Sequence, residues 1–282
     1  PRKEPSELLW PDRFDADYVA EQKRRMGSYA YAAQFQQRPA PAEGGTFRRS
    51  WWRFWQYEGN NLPPVRVRTD DGGTVAHPVI NRPARFDRTA QSWDMAFKET
   101  ATGSYVVGLV GGVSGAQSFV LDRFRERVDF PSTIAAVQAM TAKHPDVDAK
   151  LIESKANGAA VIDTLKQRMT GLIPVETDGS KQARAAAITA FVEAGNVVLP
   201  HPQIAPWVEE FIAEHAAFPT GAFDDQVDAH SQLQRYLLGR TRSGMAATDR
   251  DIADVMTGDL TGDGPITDPY AFDDEPGWGE GW

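Results

Sequence analysis

The 282-residue chain contains no cysteine, which excludes disulfide bridges and thiolate metal sites and fits a reducing compartment. No apolar run approaches the length of a membrane span, and no secretory signal is visible at the N-terminus. Nothing fits the phosphate-cradling pattern G-x-x-x-x-G-K-[ST], so the chain is not expected to hydrolyse ATP by itself. An initiator methionine is missing too; the chain begins at Pro1 and reads as a piece of a longer protein. Nor is there an overall basic charge, the formal net charge being −9. Ten of the 39 acidic residues and only two of the 30 basic ones lie from Thr241 onward, so the body before that point is close to neutral. Long-range steering towards nucleic acid is therefore weak, and such binding has to come from local basic patches.

What is present divides along the chain. "DADYVAEQKRRMGSYAYAAQFQQ" places apolar residues at helical spacing after Asp15 or Asp17, either of which can cap the helix. "RPAPAEGG" breaks regular structure as a linker. "TFRRSWWRFWQY" reads as a packing segment in preference to a nucleic-acid stacking platform, because three tryptophans in five residues are costly to leave in water. "VRVRTDDGGTVAHPVI" predicts a β-hairpin around Asp71-Gly72-Gly73.

From Phe86 the pattern changes. "DRTAQSWDMAF", "SYVVGLVGGV" and "QSFVLDRFRERV" are separated by short turns and predict an antiparallel meander. A helix follows over "FPSTIAAVQAMTAKH", with Ser132 a possible cap and Pro145 beyond its end. Strand "AKLIES", helix "ANGAAVIDTLKQRM", strand "LIPVET" and helix "SKQARAAAITAFVEAG" come next. "NVVLP" reads as a brief extended segment, and two helices close the series, over "IAPWVEEFIAEHAAF" and "FDDQVDAHSQLQRYLLG". Three antiparallel strands followed by strand-helix-strand-helix make an α/β mixed sheet flanked by helices. The tail from residue 241 to 282, acidic and rich in Gly and Pro, is expected to be disordered.

Acids mark three points of this layout. Asp94 stands in the first strand of the meander, where an unpaired buried carboxylate costs several kcal/mol and calls for a metal, a cation or a surface position. Glu153 ends the fourth strand, expected beside the first, and open α/β sheets place their ligands at such strand ends. In "FDDQVDAH", Asp224 can be a helix N-cap and Asp225 a first-turn acid, roles that need no further function. Asp228 is explained poorly that way, since it shares a helix face with one of them and like charges so placed repel. Carboxylates tolerated in this manner suit a divalent cation. All candidate ligands are oxygens, which favours Mg²⁺ or Mn²⁺ over zinc, and two ions about 3.5–4 Å apart can drive phosphodiester hydrolysis.

"SWDMAFKET", "IESKANGAA", "TDGSKQARAAAITAFVEAGNVVLP" and "FDDQVDA" together resemble the C-terminal nuclease domain of the large terminase subunit of tailed bacteriophages. The resemblance implies a ribonuclease H-like fold over residues 46–240, preceded at 1–45 by the end of an ATPase domain and its linker. It implies an endonuclease that cuts double-stranded viral DNA during genome packaging in the cytoplasm of the infected bacterial host. Asp94, Glu153, Asp224 and Asp225 match the family's metal-binding acids, with Asp228 as an accessory acid; the sequence does not decide between Asp224 and Asp225. Lys181 and Arg184 match basic residues at a helix start and are either backbone-phosphate contacts or solvated surface cations. Lys155 and Lys98 are further DNA-binding candidates, and Arg123, Arg125 and Arg127 form a stripe that is either structural or DNA-facing. Partners implied are double-stranded DNA, a portal protein, a small terminase subunit and the missing ATPase domain of the same chain, with no membrane. No base-reading helix or zinc module is recognisable, so little sequence preference is expected. The competing readings are a non-catalytic docking module for portal or small subunit, and a junction resolvase or transposase-like nuclease of the same fold.

Overall fold

Residues 15–22, 45–69, 72–95, 104–154, 157–177 and 179–239 are described by the computed structural model. Residues 16–22 are helical, and Asp15 caps them by accepting the Tyr18 amide at 2.7 Å. Among the described residues, ten strands and five α-helices follow. The strands are β1 (Arg53–Gln56), β2 (Val65–Arg68), β3 (Thr74–His77), β4 (Val79–Asn81), β5 (Arg88–Met95), β6 (Val106–Ser114), β7 (Gln117–Glu126), β8 (Ala149–Glu153), β9 (Leu172–Val175) and β10 (Val197–Pro200). The helices are α1 (Phe130–Lys143), α2 (Asn157–Leu165), α3 (Lys181–Glu193), α4 (Val208–Ala217) and α5 (Asp225–Leu238).

Eight strands form one sheet in the order β4-β1-β10-β7-β6-β5-β8-β9, while β2 and β3 pair separately as the expected hairpin. Only β6 runs against the other seven. The meander is β5-β6-β7, and β5 pairs β8 in parallel with Trp93 opposite Ile152. Asp94 and Glu153 are each one residue beyond that pair, at the carboxyl ends of adjacent strands.

Two readings needed extending and one needed correction. The "NVVLP" segment is strand β10, and the aromatic segment contributes β1; both extend the sheet beyond β7. Each is a four-residue, almost wholly buried run without in-out alternation, so periodicity does not mark it. The burial of Trp52, Phe54 and Trp55 bears out the packing role of that segment. At α1 the cap is Asp129, whose Oδ1 accepts from the Ser132 amide at 2.9 Å, and not Ser132 itself.

Alternation along β5 sorts its side chains between two cores. Trp93 and Met95 pack with Val137 and Met140 of α1 and Val161 and Leu165 of α2. Gly108 makes room for Trp93, since a Cβ there would stand 2.6 Å from the indole. Ala90 on the opposite face joins Leu151 of β8 and the buried residues of α3, α4 and α5. Asp94 has the parity of Ala90, and Glu153 that of Leu151, so both acids belong to the face covered by α5.

Candidate active site

Helix α5 is pinned to the strands that carry the acids. Ser92 Oγ donates to the Ala229 carbonyl at 2.8 Å, and Gln232 Nε2 donates to Ser92 Oγ at 3.0 Å and the Leu151 carbonyl at 3.3 Å. These bonds fix α5 across β5 and β8, next to its acidic first turn. Asp94 is thereby set within the charge field of Asp228, Asp225 and Glu153. Burial first, then those three carboxylates, raise the Asp94 pKa well above the ordinary carboxylate range, with Lys181 opposing. Burial likewise raises Asp225, helped by Glu214 and Asp224 and opposed by the Tyr105 amide, which donates to Asp225 Oδ2 at 3.1 Å. Thr177 Oγ1 donates to Glu153 Oε1 at 2.8 Å and orients that carboxylate.

The acids of α5 are not there to cap it. Asp224 occupies the N-cap position but makes no side-chain cap bond. Glu214 of α4 serves instead, accepting the Gln226 backbone amide at 2.7 Å and the Gln226 Nε2 at 2.6 Å. Glu214 is held in turn by Arg125 at 3.1 Å, and Arg125 and Arg123 both bind Glu210, at 2.6 and 2.7 Å. Arg123 also donates to Gln226 Oε1 at 2.7 Å, and Arg125 stacks 3.6 Å from the centre of the Tyr105 ring. Arg123 and Arg125 therefore have a structural role, and Arg127 lies over Tyr105 and Phe223.

Two cations enter the cluster from the first turn of α3, which Ser180 caps through the Ala183 amide at 3.2 Å. Lys181 Nζ lies 2.8 Å from Asp224 Oδ1 and 2.7 Å from Asp228 Oδ2, and Arg184 Nη2 lies 2.8 Å from Asp228 Oδ1. Burial alone would lower the Lys181 pKa, but its hydrogen bonds to Asp224 and Asp228 prevail and the net shift is upward. These two residues are neither free surface cations nor unengaged phosphate contacts; they neutralise the acids.

All five sequence-predicted acids thus come to one end of the sheet together with Lys181 and Arg184. Among the described residues, no three His, Asp or Glu side chains stand close enough to grip a single ion as positioned. The ion pairs to α3 draw Asp224 and Asp228 towards the lysine. Lys98 and Lys155 lie outside the described residues. Glu214, Tyr105 and Thr177 were not anticipated. Glu214 carried a signal, being a carboxylate three residues after Phe211 on the buried stripe of α4.

Residues 91–235 match the family model of the terminase RNaseH-like domain. The chain belongs to that family. Its sheet, with β5-β6-β7 antiparallel and β8 and β9 added in parallel, is the ribonuclease H-like arrangement. The large terminase of a thermophilic bacteriophage, in complex with ADP, is similar in fold, with a TM-score of 0.53 at 11% identity over 79% of this chain and 52% of that one. The same protein with ATP-γ-S gives 0.52 at 10% identity over 79% and 53%. The magnesium-bound large terminase nuclease of thermophilic phage G20c is 14% identical over 68% of this chain and 97% of that one, with a TM-score of 0.47. This terminase domain spans about half the length of the large terminase solved with ADP and with ATP-γ-S. No curated protein sequence matches it at a significant level.

Proposed function

We propose that this terminase domain is a divalent-metal-dependent endonuclease that cuts double-stranded DNA, with little sequence preference, during phage genome packaging. One observation carries the reading: five carboxylates from β5, β8 and the start of α5 gather at one sheet end, and Asp224 at the N-cap makes no cap bond while Glu214 accepts the Gln226 amide. The donor set is all oxygen, which suits Mg²⁺ or Mn²⁺. The ammonium lodged between Asp224 and Asp228 marks a place that accepts positive charge.

Asp94, Glu153 and Asp225 would hold two ions, with Asp224 nearly equivalent to Asp225 and Asp228 as an accessory. Such ions, when bound, supply a nucleophilic water at neutral pH and offset charge on the phosphodiester. The chain's own part is orientation and charge. Thr177 aims Glu153, the Tyr105 amide aims Asp225, and the start of α3 presents Lys181 and Arg184 where a backbone phosphate would approach. Lys98 and Lys155 are further phosphate contacts by their sequence position. Residues 46–240 form the nuclease unit, 1–45 the end of the ATPase domain and linker, and 241–282 an acidic tail. The working assembly would add the ATPase domain, a portal protein and a small subunit in the host cytoplasm.

Nicking of supercoiled plasmid with Mn²⁺ tests this. The wild-type chain should nick, and Asp94→Asn should lower the rate about 100-fold or more, because several kcal/mol of transition-state stabilisation depend on the ligand set. Undiminished nicking by Asp94→Asn removes the proposal.

A further inference from the structure

The cations at the start of α3 have a second consequence, which rests on the metal reading above. Arg184 and Lys181 divide the two oxygens of Asp228 between them, and Lys181 also takes Asp224. The Arg184 side chain is 11% exposed and its guanidinium is a planar, weakly hydrated group, so it is built in. Lys181 differs: its side chain is 46% exposed, on a flexible stem, and its ammonium grips one oxygen each of two candidate ligands, Asp224 and Asp228. An ammonium and a divalent ion drawn to the same oxygens repel each other at close range.

We propose that Lys181 is an exchangeable counter-cation: it holds Asp224 and Asp228 in the metal-free protein, yields them to the metal, and moves to a backbone phosphate of the nucleic acid. Lys181 heads α3, so the released ammonium stays at a helix N-terminus, where backbone amides and the dipole already favour an anion. Metal and phosphate are then coupled. By linkage, each raises the affinity of the other through the same lysine, and the coupling is lost with it.

Titration calorimetry of the 282-residue chain tests this with Mn²⁺ alone, followed by binding of a short duplex with and without Ca²⁺. Lys181→Met should bind Mn²⁺ about 3–10-fold more tightly than wild type, since no internal cation has to be displaced. Wild type should bind duplex at least about 5-fold more tightly with Ca²⁺ than without, and Lys181→Met should lose that increment. Lys181→Arg, which retains a cation at the position, should keep wild-type Mn²⁺ affinity and most of the increment. A Lys181→Met chain that melts like wild type yet binds Mn²⁺ no more tightly overturns the exchange while leaving the nuclease reading intact. A wild-type chain that binds no Mn²⁺ overturns both.

Discussion

Replacing Glu214 tests whether α5 is capped from outside. Glu214→Ala removes three things at once. The Gln226 amide loses its acceptor, a cap loss worth about 1 kcal/mol. Gln226 Nε2, in a fully buried residue, loses its carboxylate partner, at about 1–3 kcal/mol. The Arg125 guanidinium, with its side chain only 7% exposed, loses its buried partner but keeps Glu210 and the Tyr105 ring, so its cost falls towards or below the lower end of the roughly 3–5 kcal/mol seen when a buried pair is broken. The three share atoms and do not add; about 3–5 kcal/mol is expected in total. In urea that is a midpoint shift of roughly 2 M if the slope is near 2 kcal/mol per molar. Glu214→Gln keeps one acceptor for the amide but turns the other oxygen into a donor facing Gln226 Nε2 and Arg125, and should lose about 2 kcal/mol.

Asp224→Ala supplies the contrast. Asp224 makes no cap bond, and its contact with Lys181 is a partly exposed ion pair worth about 0–1 kcal/mol, so its midpoint should barely move. The opposite ranking, with Asp224→Ala costing more than Glu214→Ala, would refute the assignment of the cap.

Gly158 and the buried histidines yield two further expectations. A Cβ at Gly158 would stand 1.8 Å from the Glu153 carbonyl oxygen; since backbone cannot fold away as a side chain can, Gly158→Ala should cost about 3 kcal/mol and displace Glu153, with melting and plasmid nicking falling together, and wild-type behaviour in both assays would contradict it. His215 and His230 are wholly buried, and burial lowers the His215 pKa to about 3 and that of His230 well below the ordinary range. Below about pH 6.5 the unfolded chain binds protons that the folded chain refuses, so stability present above that pH is lost on acidification at about 1.4 kcal/mol per pH unit for each ring, or about 4 kcal/mol for both by pH 5. Asp94 and Asp225, whose pKa values are raised, gain stability as pH falls, so the measurement belongs in an Asp94→Asn/Asp225→Asn background; a urea midpoint that stays level between about pH 7 and 5 would refute it.

The meander and the acids were legible in the sequence because both leave local marks. Alternation from Ala90 to Met95 announces a strand with two different faces, and a charge at Asp94 inside it asks for compensation. Strands β1 and β10 left no such mark, being short and buried on both sides. The pairing of Lys181 with Asp224 and Asp228 was out of reach for another reason: 43 residues separate Lys181 from Asp224, and only the packing of α3 beside α5 brings them together. Sequence placed Lys181 and Arg184 correctly at a helix start but left open whether they met solvent or phosphate, and the structure gives them carboxylates.

The same packing explains why the acids survive so close together. A helix beginning "DDQVD" would ordinarily use Asp224 on its own amides. Here Glu214, steadied by Arg125, takes the Gln226 amide, and the carboxylates of α5 are left to face β5, β8 and α3. His215 and His230 complete the anchorage of α4 to α5, and the pattern assigns one proton to each ring. Gln234 Nε2 donates to His230 Nε2, His230 Nδ1 to His215 Nε2, and His215 Nδ1 to the Phe211 carbonyl. A neutral, directional chain of this kind fixes the two helices without adding charge near the acids. The negative charge is therefore concentrated at one end of α5, held there by the bonds that Ala229, His230 and Gln232 of the same helix make. That division lets repulsion among Asp94, Asp225 and Asp228 be carried by tertiary packing, and a cation is the counterpart that their common surface calls for.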